Sequence, residues 1–289
     1  MIKVHKDFEA IPRHLNQKSA KKQTLAAIAA QDGNMYVRNY KHSSVKTALS
    51  EIYHHKCAYC ESTITHSAPL QVEHYRPKAD VDKKDLQIGE IHKGYYWLGN
   101  EWSNLLLACQ NCNGKGAKGN RFPIAGVRLL NHPNDVAHYS ILHEAMLAEM
   151  PLLLNPELVD PLDHLYLDQD GFMHGKSDCG DISIEVYNLN REGLRTRRQT
   201  IINQFFRALN NQLIELFNPL EPLTPDQFQR QMNLVFKKLF AGRKPSVEYS
   251  FVYINIISNF DSILLPLIEQ EFQPIINRSF QIYIQTQIP

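Results

Sequence analysis

The chain lacks any apolar run long enough to cross a bilayer as a helix. Its longest near the C-terminus, Ile263–Ile268, is broken by Pro266. The N-terminal Met-Ile-Lys-Val-His-Lys has neither the apolar core nor the small-residue cleavage site of a secretory signal. Repeats and low-complexity tracts are also missing. Cysteine is scarce, at five in 289 residues, too few for a disulfide-rich secreted scaffold. Net charge is nearly absent: 31 Lys and Arg against 30 Asp and Glu leave +1, so the chain as a whole does not advertise polyanion binding. These absences leave an ordinary chain of one or two domains, 43% hydrophobic and 21% charged. It is expected in the cytoplasm, with no membrane partner.

The charge is unevenly spread. Residues 1–50 hold nine Lys and Arg against three Asp and Glu, and residues 141–187 hold one Lys against ten Asp and Glu. A basic front end can meet a polyanion, although solvated faces give the same counts.

Helical texture is expected over residues 18–30, ending near Gly33, and from Val45 to His55 with Ser43 or Ser44 as cap. Thr63–Thr65 and Leu70–His74 resemble short strands around a turn at Ser67–Pro69. Residues 78–94 are charged and aperiodic, like a surface insertion, and a helix can begin at Gln110. The local order is therefore strand, strand, loop, helix. Beyond Pro151, HLYLD and ISIEVY alternate like strands. Helices are expected over 191–217, 225–241, 246–260 and 263–272. Soft boundaries near 150 and 188 suggest a helical segment over 1–50, a core over 51–150, and a mixed, then helical, region over 151–289 that could dock a partner. The class is α+β, mostly helical.

Four of the cysteines form two pairs, Cys57-Ala-Tyr-Cys60 and Cys109-Gln-Asn-Cys112. Two residues between thiolates let both sulfurs face one ion, and two such knuckles complete the tetrahedral sulfur site that zinc prefers. Cys60 and Cys109 lie 49 positions apart, so the metal would staple a subdomain and belong to its folding. Sulfur at all four positions leaves none open to substrate, which makes this zinc structural. Cys179 reads as a small core residue.

Chemistry must then come from between the knuckles, where Val72-Glu-His-Tyr-Arg-Pro-Lys78, Trp102-Ser-Asn104-Leu, Asn113, Lys118 and Arg121 follow in turn. Phosphodiester hydrolysis needs a base near neutral pH, which suits His74. It needs a hard divalent cation on oxygen ligands, for which Glu73 and Asn113 offer oxygens. Arg76, Lys78, Lys118 and Arg121 can face phosphate. Tyr95, Tyr96 and Trp97 read as core, with base stacking as the alternative.

Cys-x-x-Cys, Glu-His-Tyr-Arg-Pro-Lys, Trp-x-Asn-Leu and Cys-x-x-Cys-Asn together resemble the zinc-stapled HNH, or ββα-metal, endonucleases. Tyr95-Tyr-Trp-Leu98, the run from Asn104 to Asn113 and Gly119-Asn-Arg-Phe-Pro123 narrow the resemblance to the HNH nucleases of retron and Septu anti-phage defence systems, the PtuB type. The likeness is strongest over residues 50–125. It implies His74 as the general base, Glu73 as a ligand of a catalytic magnesium or manganese ion, Asn104 as the residue that shapes the loop and fixes the base, and Asn113 as the second ligand. The family name expects His at that last position, and an Asn oxygen favours magnesium or manganese over softer ions. The resemblance also implies a nucleic-acid substrate, DNA first, and an ABC-type ATPase partner of the PtuA type. The residues leave open a ribonuclease acting on tRNA or other RNA, a non-catalytic zinc-organised binding or regulatory subunit, and a redox protein.

Overall fold

The computed structural model describes residues 1–63, 69–133 and 140–287. The chain divides into two compact units: one comprises residues 1–165 and 175–189, the other residues 166–174 and 190–289. The elements are mostly helical, with two small sheets.

In the first unit, α1 spans Lys18–Ala30 and ends on Gln31 in the left-handed conformation, φ 51°. A short turn over Gly33–Tyr36 follows, capped by the Asp32 carboxylate, which accepts from the Asn34 and Met35 amides. Helix α2 is Ser43–Ile52. Its cap is the His42 imidazole accepting from the Ser44 amide, not Ser43 or Ser44.

Strand β1, Gln71–His74, pairs antiparallel with β2, Leu105–Ala108, with Val72 opposite Leu107 and His74 opposite Leu105. Of the expected strand Thr63–Thr65 and turn Ser67–Pro69, Thr63 bridges Lys56, and Ile64, Thr65, Ser67 and Ala68 lie outside the described residues. Among the described residues the partner of β1 is thus a long-range one. The reason is burial: Leu105–Ala108 is apolar at every position and fully buried, so it needs a partner inside the core. The four-residue helix α3, Gln110–Asn113, starts directly after Cys109. Tyr59, Tyr95, Tyr96, Trp97, Phe122 and Tyr187 pack this core, none more than 1% exposed.

Strands β3, Leu165–Leu167, and β4, Met173–Gly175, pair with each other. The ISIEVY stretch is not a strand but part of α4, Asp178–Val186. Ser177 caps it at the Gly180 amide, Asp178 and Asp181 occupy its first turn, and burial recurs at 180, 183 and 186. Cap, dipole and three-residue spacing outweigh the alternation.

The second unit stacks helices α5, Glu192–Leu216, α6, Pro225–Ala241, α7, Ser250–Ser258, and α8, Gln273–Gln285. Thr224 and Gln227 form a reciprocal capping box at the start of α6, with Pro225 in the first turn. Phe236, Phe260 and Phe280 fill its centre, the last two rings stacked at 3.9 Å. The expected 246–260 helix shortens to α7, because Tyr249 takes a left-handed φ of 56°. In place of a 263–272 helix come two short turns, Phe260–Ile263 and Leu265–Leu267, broken at Leu264, with Pro266 inside the second. Helix α8 goes beyond the elements expected from the sequence, though Pro274 at its first turn is a start signal. Among the described residues no single helix is long and apolar enough to cross a membrane.

Candidate active site and metal centre

The two cysteine pairs converge. The sulfurs of Cys57, Cys60, Cys109 and Cys112 all lie within 4.8 Å of one another, with Cys60 and Cys109 3.7 Å apart. Sulfurs bound at about 2.3 Å around a tetrahedral zinc stand about 3.8 Å apart, so the cluster fits such an ion. The first knuckle is docked on β2 by the Ala58 amide donating to the Leu107 carbonyl at 2.7 Å. The Cys109 amide donates to Cys57 Sγ at 3.3 Å, which steadies a thiolate. Cys179 lies outside this group and is partly buried in α4.

β1 delivers Glu73 and His74 beside the cluster, and both are buried, at 5% and 8% exposure. His74 Nε2 lies 2.8 Å from the Gly99 carbonyl oxygen. A carbonyl only accepts, so Nε2 carries the hydrogen and Nδ1 is the basic nitrogen. Burial pushes the imidazole down to about 3; the Gly99 bond pulls it back, and Lys78, Lys118 and Lys41 push it further down. The ring is neutral at pH 7. Gly99 is required there: a Cβ would meet the Val37 methyls at 2.8 and 2.9 Å.

Glu73 Oε1 lies 2.6 Å from the Lys118 ammonium. Burial raises the carboxyl, while Lys118 and a side-chain hydrogen bond with Asn113 lower it. Lys118 also donates to the His74 carbonyl at 2.8 Å. Asn113, at the end of α3, joins Glu73 and His74 in lining a cleft of about 300 Å³, together with Asn34, Gln71, Lys78 and Lys115. Two oxygen-bearing side chains and an open cleft fit a hydrated magnesium ion, which keeps several waters and takes few protein ligands. The Lys118 ammonium opposes it by partly neutralising Glu73.

Asn104 is fully buried and fastens the loop that follows β1. Its Oδ1 accepts from the Arg76 amide at 2.8 Å, and its Nδ2 donates to the Arg76 and Leu98 carbonyls at 3.0 and 3.2 Å. Leu98 precedes the carbonyl that holds His74, so Asn104 reaches the imidazole through the backbone.

The four expected phosphate-facing cations are not alike. Arg76 is buried, ion-paired to Glu149 and laid over Tyr95 and Phe122. Lys118 is buried against Glu73. Arg121 pairs with Asp85 at 2.9 Å. Only Lys78 of the four lines the cleft. Tyr95, Tyr96 and Trp97 are core. Sequence reasoning missed Gly99 and the segment Asn34–Lys41, whose Tyr40 meets His74 edge-on at 4.4 Å. The only sequence signal for that segment is the basic count of residues 1–50.

No family model matches the chain, and no solved structure matches it. It is 31% identical over 266 residues to Septu protein PtuB of Bacillus mycoides (strain KBAB4), covering 88% of this chain and 85% of that protein. Septu protein PtuA of the same strain is 28% identical over 286 residues, which is 97% of this chain but 34% of PtuA. Septu protein PtuB of Bacillus thuringiensis is 35% identical over 72 residues, 25% of this chain and 23% of that relative. Near-complete coverage on both sides, at the identity of the first alignment, shows that this chain belongs to the Septu PtuB family.

Proposed function

We propose that this chain is a metal-dependent HNH endonuclease that hydrolyses nucleic-acid phosphodiester bonds, DNA before RNA, as the effector of a Septu anti-phage defence system. The observation that carries this reading is one cleft holding His74, oriented by the Gly99 carbonyl, with the Glu73 carboxylate and the Asn113 side chain beside it. A non-catalytic zinc module has no need of that trio.

His74 Nδ1 takes the proton from the attacking water; the incoming phosphate anion favours the imidazolium and so lifts the ring from its low value in the free protein, while the Nε2–H bond to Gly99 holds the ring in place. Glu73 and Asn113 would hold a magnesium or manganese ion, which when bound neutralises the leaving 3′ oxygen. Lys78 faces the substrate backbone from the cleft wall. Lys118 supports that wall through Glu73, and Arg76 and Arg121 are held by Glu149 and Asp85. The four cysteines would hold a structural zinc that ties the first knuckle to β2. Products carry 5′-phosphate and 3′-hydroxyl ends. The names of the relatives pair PtuB with PtuA, and an ABC-type ATPase of that kind is the proposed partner.

The test is magnesium-dependent cleavage of plasmid DNA and total tRNA by wild type and His74→Ala, with and without the ATPase. A loss of about a hundredfold or more in His74→Ala at unchanged zinc content is expected. Preferential cutting of tRNA would favour the ribonuclease reading. No cutting by either protein, even with the partner, would refute the nuclease.

A further inference from the structure

The N-terminal segment, residues 34–41, lies outside the β1–β2–α3 unit yet reaches the cleft beside it, Asn34 lining the wall and Tyr40 meeting His74. Its place is fixed by close packing: a Cβ on Gly33 would stand 2.1 Å from the Lys78 carbonyl oxygen, so the turn lies directly on the loop after β1. Val37, fully buried, packs against Gly99. Tyr40 stands between two kinds of neighbour. One is the His74 ring, 4.4 Å away. The others are two ammonium groups over its own ring, Lys41 at 5.7 Å and Lys78 at 5.8 Å. Asn34 accepts from the Lys78 ammonium through its side chain and from Arg38 through its carbonyl.

Three cations are thus collected at one edge of the cleft, and among the described residues none of them makes a salt bridge. Asp32 is the carboxylate that offsets Lys78, and its side chain is engaged in capping Asn34 and Met35. Burial first, and then Lys41 and Arg38, depress the Lys78 ammonium. Such crowding disfavours the free protein and is relieved by an anion. Arg38 and Lys41 are exposed, and Lys115 lines the same cleft.

We infer that Arg38, Lys41 and Lys78, arranged around Tyr40, form a clamp for the nucleic-acid backbone that seats a phosphate neighbouring the one at His74. This rests on the nuclease reading and adds to it a strand path running over the N-terminal segment. The clamp reads charge, not base identity, so its effect is uniform across sequences.

The test measures binding rather than cutting. His74→Ala and His74→Ala/Arg38→Ala/Lys41→Ala are titrated onto a fluorescent DNA duplex and an RNA hairpin over a salt series. Each phosphate that the protein no longer neutralises lowers the slope of log affinity against log salt by about 0.9 on duplex DNA. Removing two cations should therefore lower it by about 1.8. A control carrying Lys237→Ala/Lys238→Ala removes the same charge from exposed positions on α6 and should leave the slope unchanged. Arg38 and Lys41 are exposed, and unchanged tryptophan emission verifies the fold. An unaltered slope in the triple variant, or an equal fall in the control, overturns the clamp and leaves the nuclease standing. Failure of His74→Ala to bind either probe overturns both.

Discussion

Replacing Lys118 with Met tests the electrostatic design of the cleft most directly. The Lys118 and Glu73 side chains are 0% and 6% exposed and 2.6 Å apart, and the ammonium also serves the His74 carbonyl. Met keeps the length of the side chain but removes the charge. Glu73 is then left ionised in a buried site, or must take up a proton, and the His74 carbonyl loses a donor. Breaking one side of a buried pair costs about 3–5 kcal/mol. The double variant Lys118→Met/Glu73→Gln removes both charges and should recover most of that loss. The assay is urea denaturation followed by tryptophan emission, in zinc-replete, magnesium-free buffer. Trp97 and Trp102, the two tryptophans of the chain, both lie in the unit that holds the cleft. A single-variant cost below about 1 kcal/mol, or a double variant as unstable as the single, would show that the pair is not energetically coupled and refute the reasoning.

Gly99→Ala should displace Val37 and tilt the carbonyl that holds His74, costing about 1–3 kcal/mol from overpacking; cleavage falling no further than stability would count against the orienting role. Glu101 accepts from the Ser103 amide and hydroxyl, and burial lifts its carboxyl to about 6. The fold therefore favours its protonated form, and the stability that form contributes is full below about pH 4.5 and lost as pH rises through about 6. Glu101→Gln should gain at most about 2 kcal/mol above pH 7 and nothing near pH 4, less whatever water screens; a gain independent of pH would contradict this. Chelation should release one zinc per chain and expose both tryptophans, with a red-shifted emission. Loss of zinc without that shift would mean the metal is not part of the fold.

What the sequence disclosed was local. The cysteine pairs and the Glu73, His74 and Asn113 group announce themselves through spacing and residue chemistry within one stretch. Counter-ions do not. Arg76, Lys118 and Arg121 read as phosphate-facing cations because Glu149, Glu73 and Asp85 stand 73, 45 and 36 positions away. The pairing of β1 with β2 was hidden for the same reason, since Leu105 opposes His74 from 31 positions away. In α4 the alternation of ISIEVY competes with Ser177 as a cap, and the cap prevails. Nothing in composition pointed to the Gly99 carbonyl, because a backbone acceptor has no residue type of its own.

The excursion between β1 and β2 is closed at its base. Its two ends are fastened together by Asn104, which grips the Arg76 backbone on one side and Leu98 on the other, while the Tyr75 amide donates to the Asn104 carbonyl at 2.9 Å. Once such a neck is tied, the length of what hangs from it matters little: doubling a flexible loop costs only about 0.6 kcal/mol. Residues 87–91, with Ile88 fully exposed and beyond Asp85, which is tied to Arg121 and the Phe122 amide, are therefore where this architecture can lengthen, shorten or change its recognition surface while the imidazole and the sulfur cluster stay in register.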